Sequence, residues 1–157
     1  MKRRVMIVTM AAVLGTAALS GCGSSKKADS GSSGGVTVPV AAGTPVAVTA
    51  GDKSDTEQFL TVAPTSVKAG NVTFTFANTG TRQHEMIVLK TDSAFDKLTV
   101  GADNKVSEDA SVGEISETDK GKTVTKSFNL AAGSYVLVCN IEKHYAQGMR
   151  SAFTVTP

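Results

Sequence analysis

The sequence is poor in several side chains that often dominate cores and binding sites. Its 157 residues include no tryptophan, only two histidines and two cysteines, and 5% aromatic residues. It contains no P-loop motif and no HExxH pair, which argues against the nucleotide-binding and metalloprotease classes that these motifs mark. At this length the chain is expected to form one domain with appended segments.

The basic residues are concentrated at the start of the chain. Residues 2–4 are Lys-Arg-Arg, and an apolar run from Val5 to Leu19 follows them. This run is shorter than the ~20 residues of a membrane span, and it predicts a signal peptide over residues 1–21. Removing that peptide leaves 13 basic against 14 acidic residues. A near-neutral chain argues against a nucleic-acid-binding protein, which needs a clustered basic face.

Cys22 follows the predicted signal peptide. The preceding Leu-Ser-Gly and Cys22 itself resemble a bacterial lipobox, in which the cysteine carries lipid as the first mature residue. The alternative is an ordinary secretory signal with a cysteine near its cut site. Either interpretation predicts export, and the first predicts an extracytoplasmic protein anchored to the bacterial membrane through Cys22.

Residues 22–55 are expected to link this anchor to the folded domain. Residues 23–35 consist mainly of glycine, serine and charged residues, which cannot bury a core and predict a flexible tether. Residues 36–50 are rich in Val, Ala, Pro and Thr and predict an extended spacer ending in a first edge strand.

Residues 56–157 have the pattern of short β-strands. Val72, Phe74 and Phe76 alternate with threonines, and segments with glycine or asparagine separate the apolar runs. Further strands are predicted at residues 84–90, 122–130, 135–139 and 151–156. The pattern predicts an all-β domain, an antiparallel Greek-key β-sandwich or barrel.

Residues 91–120 interrupt this pattern. Residues 93–98 are expected to form one helical turn with Asp92 or Ser93 as its cap. Residues 103–119 contain six acidic residues and one lysine, which predicts a solvated loop.

Three potential metal ligands lie within eleven residues near the end of the chain. Cys139, His144 and Met149 have the spacing C-x4-H-x4-M, between two predicted strands. Thiolate, imidazole and thioether form a softer donor set than zinc sites usually have. Two histidines and one cysteine with a weak axial methionine is the blue-copper arrangement. Within residues 56–157 the second histidine can only be His84, which opens the predicted strand 84–90.

Residues 56–157 resemble a cupredoxin of the plastocyanin, azurin and auracyanin kind. The resemblance rests on the strand-opening His84, the strand YVLVC and the C-x4-H-x4-M loop. It implies one type 1 copper ion with His84, Cys139 and His144 as equatorial ligands and Met149 as the axial ligand. It also implies transfer of single electrons and no enzymatic activity.

Two residues beside His84 depart from the familiar members. Glu85 stands where plastocyanin and azurin carry an asparagine that ties the ligand loops together. Gln83 stands in place of a glycine, so an azurin-like carbonyl ligand is not implied. Each candidate ligand also has a purely structural interpretation, such as an inert buried thiol for Cys139. A free thiol is a liability in an oxidising compartment unless a metal holds it.

The resemblance implies that redox partner proteins at the membrane dock near His144, the expected electron port. Tyr145, Ala146 and Gly148 are expected to contribute to that docking surface. Three alternatives remain: an extracytoplasmic copper carrier or storage module, a copper enzyme, and a metal-free immunoglobulin-like adhesion domain.

Overall fold

A computed structural model describes residues 43–157, which form two β-sheets packed face to face. The strands of this part of the chain are β1 (Thr44–Asp52), β2 (Gln58–Ala63), β3 (Ser66–Lys68), β4 (Gly70–Asn78), β5 (His84–Lys90), β6 (Ser111–Thr118), β7 (Thr123–Leu130), β8 (Gly133–Val138) and β9 (Arg150–Thr156). The predicted all-β sandwich is confirmed.

The order of strands in the sheets places β5 and β8 side by side. One sheet has the order β2-β1-β4-β7, and the other has the order β3-β9-β8-β5-β6. The β1/β4 and β3/β9 pairs are parallel, whereas the other pairs are antiparallel. Because β5 and β8 are antiparallel neighbours, the start of β5 and the end of β8 lie at the same end of the sandwich.

The core lies between the sheets and follows the alternation read from the sequence. On β4, Val72, Phe74 and Phe76 are fully buried. The ring of Phe74 packs against those of Phe128 and Phe153, with centroids 6.0 and 5.5 Å apart. These contacts join β4, β7 and β9 across the two sheets.

Strands β5 and β8 are buried on both faces, which explains their continuous apolar sequences. Met86 and Val88 face the core between the sheets, as predicted for Met86. Ile87, Leu89 and Val136 form a second cluster with residues from the segment 91–110. This segment, hereafter the covering segment (residues 91–110), therefore covers the outer face of the five-stranded sheet.

The folded domain begins before the predicted boundary at residue 56. Strand β1 lies between β2 and β4, and its Val46, Val48 and Ala50 belong to the core. The predicted strand at the end of residues 36–50 is therefore present, but the prediction that it is an edge strand is wrong, because β1 is an interior strand of its sheet. Pro45 and the small residues Ala47 and Gly51 within β1 conceal its short apolar alternation in the sequence.

The prediction of a solvated loop over residues 103–119 is also wrong in its second half. Strand β6 pairs with β5, and it buries Ile115 and Thr118 while its acidic residues stay outside the core. Such an edge strand needs few apolar residues because one face is solvated. Residues 93–98 contain a single turn closed by the Lys97 N–H and the Ala94 carbonyl, and no helix.

The predicted signal peptide 1–21, the lipidation site Cys22 and the tether up to residue 42 lie outside the described residues. Within residues 43–157, no helix has the length and apolar character needed to cross a membrane.

Candidate metal centre

The four predicted ligands lie at one end of the sandwich. His84 is the first residue of β5, and Cys139 follows the last residue of β8. His144 and Met149 lie on the connection between β8 and β9, hereafter the ligand loop (residues 139–149). The sheet therefore positions one histidine and the cysteine, and the ligand loop positions the other two side chains.

The donor atoms of three of these residues converge. His84 Nδ1 lies 3.3 Å from His144 Nδ1, and Cys139 Sγ also lies 3.3 Å from His144 Nδ1. One potential ligand atom from each of the three residues lies within 4.8 Å of the other two. His84 and Cys139 are 0% exposed and His144 is 6% exposed. The structure thus brings together three side chains separated by up to 60 residues.

The backbone of Met149 is hydrogen-bonded to two residues of this cluster, His144 and Cys139. Its N–H donates to the His144 carbonyl at 3.0 Å, and its carbonyl accepts from the Cys139 N–H at 3.1 Å. The Met149 side chain is fully buried in the same core cluster as Cys139.

Burial determines the protonation of the cluster. Burial, with repulsion from His84, lowers the pKa of His144 to about 4, and burial also lowers the pKa of His84. Burial raises the pKa of the Cys139 thiol to about 12. Both imidazoles are therefore neutral at pH 7, which is the form that binds metal. A metal cation reverses the preference of the thiol, because a coordinating thiol is deprotonated.

The chemistry of this donor set fits a copper ion. Two neutral imidazoles and one thiol are buried with their donor atoms close together, and a thioether-bearing residue is buried alongside. This is the donor combination of a type 1 site. Cys139 is free, and it is the only cysteine within the described residues.

Glu85 connects β5 to the ligand loop. Its backbone N–H points to Cys139 Sγ at 3.4 Å, and its carboxylate accepts a hydrogen bond from the Asn140 N–H at 3.0 Å. The carboxylate thus makes the cross-loop link for which the sequence seemed to lack a residue. Burial raises the pKa of Glu85, although the Asn140 N–H opposes that shift.

Asn140 and Tyr145 attach the ligand loop to the segment 91–110. The Asn140 side chain exchanges two hydrogen bonds with the backbone of Val106, at 2.8 and 3.0 Å. The Tyr145 hydroxyl donates to the Phe95 carbonyl and accepts from the Leu98 N–H, both at 2.9 Å. No sequence pattern marks Asn140 as part of the site.

Tyr145 is only 3% exposed, so it does not belong to a docking surface as predicted. Its aromatic ring and hydroxyl face the covering segment because the second apolar cluster and two backbone groups occupy that side. Ala146 is exposed and Gly148 is half-buried.

Gly148 allows the ligand loop to approach β2. Its φ is +117°, and a Cβ at this position would lie 2.5 Å from the Gln58 carbonyl oxygen. The Gln58 N–H in turn donates to the Gln147 carbonyl at 2.9 Å. A side chain at residue 148 would therefore both strain the backbone and displace the loop.

Asp52 approaches the cluster from the end of β1. Its Oδ1 lies 3.1 Å from His84 Nε2, the ring nitrogen that faces away from His144. Burial raises the pKa of Asp52, but the hydrogen bonds from Thr81 and Arg82 and the proximity of the His84 imidazole outweigh burial, and the pKa is lowered overall. Asp52 precedes the domain boundary that the sequence predicts at residue 56, so no sequence pattern marks it as part of the site.

The fold and the site together define a cupredoxin. Rusticyanin from Thiobacillus ferrooxidans has 22% identity, with a TM-score of 0.54 over 73% of this chain and 79% of that chain. Auracyanin from the photosynthetic bacterium Roseiflexus castenholzii has 22% identity and a TM-score of 0.51 over 71% and 97%. An azurin from Methylomonas sp. strain J has 18% identity and a TM-score of 0.51 over 74% and 100%. At these identities the similarity establishes the fold.

Residues 53–156 match the family of the sulfocyanin (SoxE) domain, and the chain belongs to this family. A comparison with curated proteins found no match. Family membership and the cluster of His84, Cys139 and His144 identify one type 1 copper ion as the cofactor.

The link between Tyr145 and the covering segment can be tested with Tyr145→Phe. The variant leaves the Phe95 carbonyl and Leu98 N–H without their partner, so we expect a loss of roughly 1–3 kcal/mol in the free energy of unfolding. Amide exchange at Leu98 should accelerate.

The matched control is Tyr135→Phe, which removes one hydrogen bond from a buried tyrosine to the Ala131 carbonyl. It should lower stability without accelerating exchange at Leu98. Unchanged exchange at Leu98 in Tyr145→Phe would contradict the assigned role.

Proposed function

We propose that this protein is a membrane-tethered blue copper protein that carries single electrons between redox partners. The convergence of His84 Nδ1, His144 Nδ1 and Cys139 Sγ in a buried position is the observation that supports it. When bound there, copper supplies a one-electron Cu(II)/Cu(I) couple. His84, Cys139 and His144 are the proposed equatorial ligands, and Met149 is the proposed axial ligand.

The protein's part in this function is to keep the ligands in place. Cys139 is held by the Met149 carbonyl and faces the Glu85 N–H. Further hydrogen bonds attach the ligand loop to Gln58, to the Glu85 carboxylate and to Val106. A donor set held from several directions has little freedom to rearrange when the charge of the site changes, which favours fast electron transfer.

His144 is the proposed electron port. Among the four proposed ligands, His144 is 6% exposed and the others are 0% exposed. Exposed Ala146 and half-buried Ile141 and Gly148 occupy the same loop. The exposed charges of this loop, Glu142 and Lys143, pair with each other, and such a surface of small, apolar and mutually paired residues suits brief docking of a redox partner protein.

The alternative function is an extracytoplasmic copper carrier or storage module. Such a protein must release its metal to a recipient, which requires ligands that solvent and the recipient can reach. The near-complete burial of the four proposed ligands favours electron transfer instead. The same burial leaves a substrate no direct access to the metal position, which supports the proposal that the protein is not an enzyme.

The proposed location is the outer side of a bacterial membrane, with lipid attached at Cys22. This part of the proposal rests on the sequence of residues 1–22, because these residues lie outside the described structure. The glycine- and serine-rich residues 23–35 would separate the anchor from the copper site.

The assignment of Cys139 predicts the colour of the protein. With Cu(II), the wild type should show an intense thiolate-to-copper band near ~600 nm. Cys139→Ser should abolish the band while the circular dichroism of the sandwich persists, because serine has nearly the same shape. A colourless wild type with full copper occupancy would exclude a blue copper protein.

The axial role of Met149 predicts a change in potential without loss of colour. Met149→Leu keeps the buried volume but removes the weak thioether donor. The loss of this donor destabilises Cu(II) more than Cu(I), so the reduction potential should rise. Met86→Leu is the matched control, since Met86 is also fully buried in this core. Complete loss of copper in Met149→Leu, or equal shifts in both variants, would show that the axial assignment is wrong.

The proposed anchor predicts the fractionation of the protein. The wild type should sediment with membranes and require detergent for release, because several acyl chains at one cysteine bind firmly. Replacing residues 1–22 with an ordinary cleavable signal should give a soluble protein that is still blue. A replaced-signal protein that stays on the membrane would contradict anchoring through Cys22.

A further inference from the structure

Asp52 and His84 form a buried carboxylate–imidazole pair at the back of the metal centre. Asp52 Oδ1 lies 3.1 Å from His84 Nε2, while His84 Nδ1 faces His144 on the other side of the ring. We propose that Asp52 is a positioning residue that holds the proton of His84 on Nε2, presents Nδ1 to copper and lowers the reduction potential. This inference rests on the proposed function, because it takes His84 as a ligand.

The other oxygen of Asp52 is fixed by the chain between β4 and β5. Oδ2 accepts hydrogen bonds from the Thr81 N–H at 2.6 Å, the Thr81 hydroxyl at 3.1 Å and the Arg82 N–H at 3.3 Å. These three donors immobilise the carboxylate and leave Oδ1 directed to the imidazole. The arrangement of the Asp52 carboxylate thus does not depend on His84 alone.

Within the described residues, neither Asp52 Oδ1 nor His84 Nε2 has a well-formed hydrogen bond to any group. Both atoms are buried, and their 3.1 Å contact with each other is close enough for a hydrogen bond but lacks the alignment of one. A buried N–H without a partner is costly, so each atom has a reason to engage the other. A metal-binding histidine commonly donates its second ring N–H to a carboxylate, and that contact sets its tautomer and increases its basicity.

Gly80 makes room for this pair. A Cβ built at Gly80 would lie 2.5 Å from Asp52 Oδ2 and 2.7 Å from His84 Nε2. Any larger residue would force the carboxylate and the imidazole apart. Gly80 therefore permits the contact sterically, independently of the hydrogen bonds of Asp52.

The charge of Asp52 is placed to act on the metal centre. Its side chain is 8% exposed and that of His84 is 0% exposed, so solvent screens their interaction weakly. The guanidinium of the neighbouring Arg82 forms its salt bridge with the exposed Asp55 rather than with Asp52. A negative charge behind a ligand stabilises Cu(II) more than Cu(I), and a more basic imidazole acts in the same direction.

The test compares Asp52→Asn with the wild type in the full chain loaded with copper. Asparagine keeps the shape but removes the charge and weakens the acceptor. We expect affinity for Cu(II) to fall about 10–100-fold, the usual effect of losing such a partner. If affinity for Cu(I) falls about tenfold less, the reduction potential rises by about 59 mV for one electron. Competition with chelators and redox titration measure these quantities.

Asp55→Asn is the matched control. It removes an equal charge from the same region, but Asp55 is 94% exposed and pairs with Arg82 rather than with His84. Its potential and copper affinity should stay close to those of the wild type. Equal shifts of the reduction potential in the two variants would show that any negative charge in this region has the same effect as Asp52, and would overturn the proposal.

Gly80→Ala and magnetic resonance separate positioning from stability. Gly80→Ala keeps the charge of Asp52 but disturbs the contact, so its potential should rise as in Asp52→Asn. In the Cu(I) protein, the His84 Nε2 proton should be observed and protected from exchange, and both variants should lose that protection. If Asp52→Asn fails to fold, Gly80→Ala provides the same comparison.

The outcomes distinguish this inference from the proposed function. A blue wild type with unchanged potential in Asp52→Asn and Gly80→Ala would overturn the role of Asp52 and leave the blue copper assignment intact. A colourless wild type would overturn both. A rise in potential in these two variants, absent from Asp55→Asn, supports the proposal.

Discussion

The burial of two imidazoles and a thiol at one end of the sandwich is the constraint on which the rest of the site depends. Polar groups removed from water need hydrogen-bond partners or a metal. His84, Cys139 and His144 direct their donor atoms to one another, so the surrounding residues must hold them through their other atoms. The backbone of Cys139 is held by Met149, and the far nitrogen of His84 faces Asp52.

The framework around the ligands comes from separate parts of the chain. Gln58 on β2, Glu85 on β5 and Val106 in the covering segment each hold part of the ligand loop. The covering segment 91–110 also buries the outer face of β5 and β8, the two strands that carry His84 and lead into Cys139. The same segment therefore protects the sheet and supports the metal centre.

Two carboxylates lie next to a site that binds a cation, and they have different tasks. Glu85 links two backbone segments through the Asn140 N–H, whereas Asp52 faces a ligand side chain. The sequence marks Glu85 because it directly follows His84. Nothing in the sequence marks Asp52, which lies 32 residues before His84 and comes close to it because β1 pairs with β4 in one sheet.

The sequence alone was sufficient for the all-β class, most strands of the core and the set of candidate ligands. These follow from local patterns: the alternation on β4, the apolar runs of β5 and β8, and the spacing from Cys139 to Met149. The sequence did not show β1 as a core strand or β6 as a paired edge, because their few apolar residues become significant only against neighbouring strands. The tertiary structure alone decided that Tyr145 points away from the surface and that Asp52 meets His84. Both contacts join residues far apart in the chain, and only the packing of the sheets and the covering segment brings their atoms within hydrogen-bond distance.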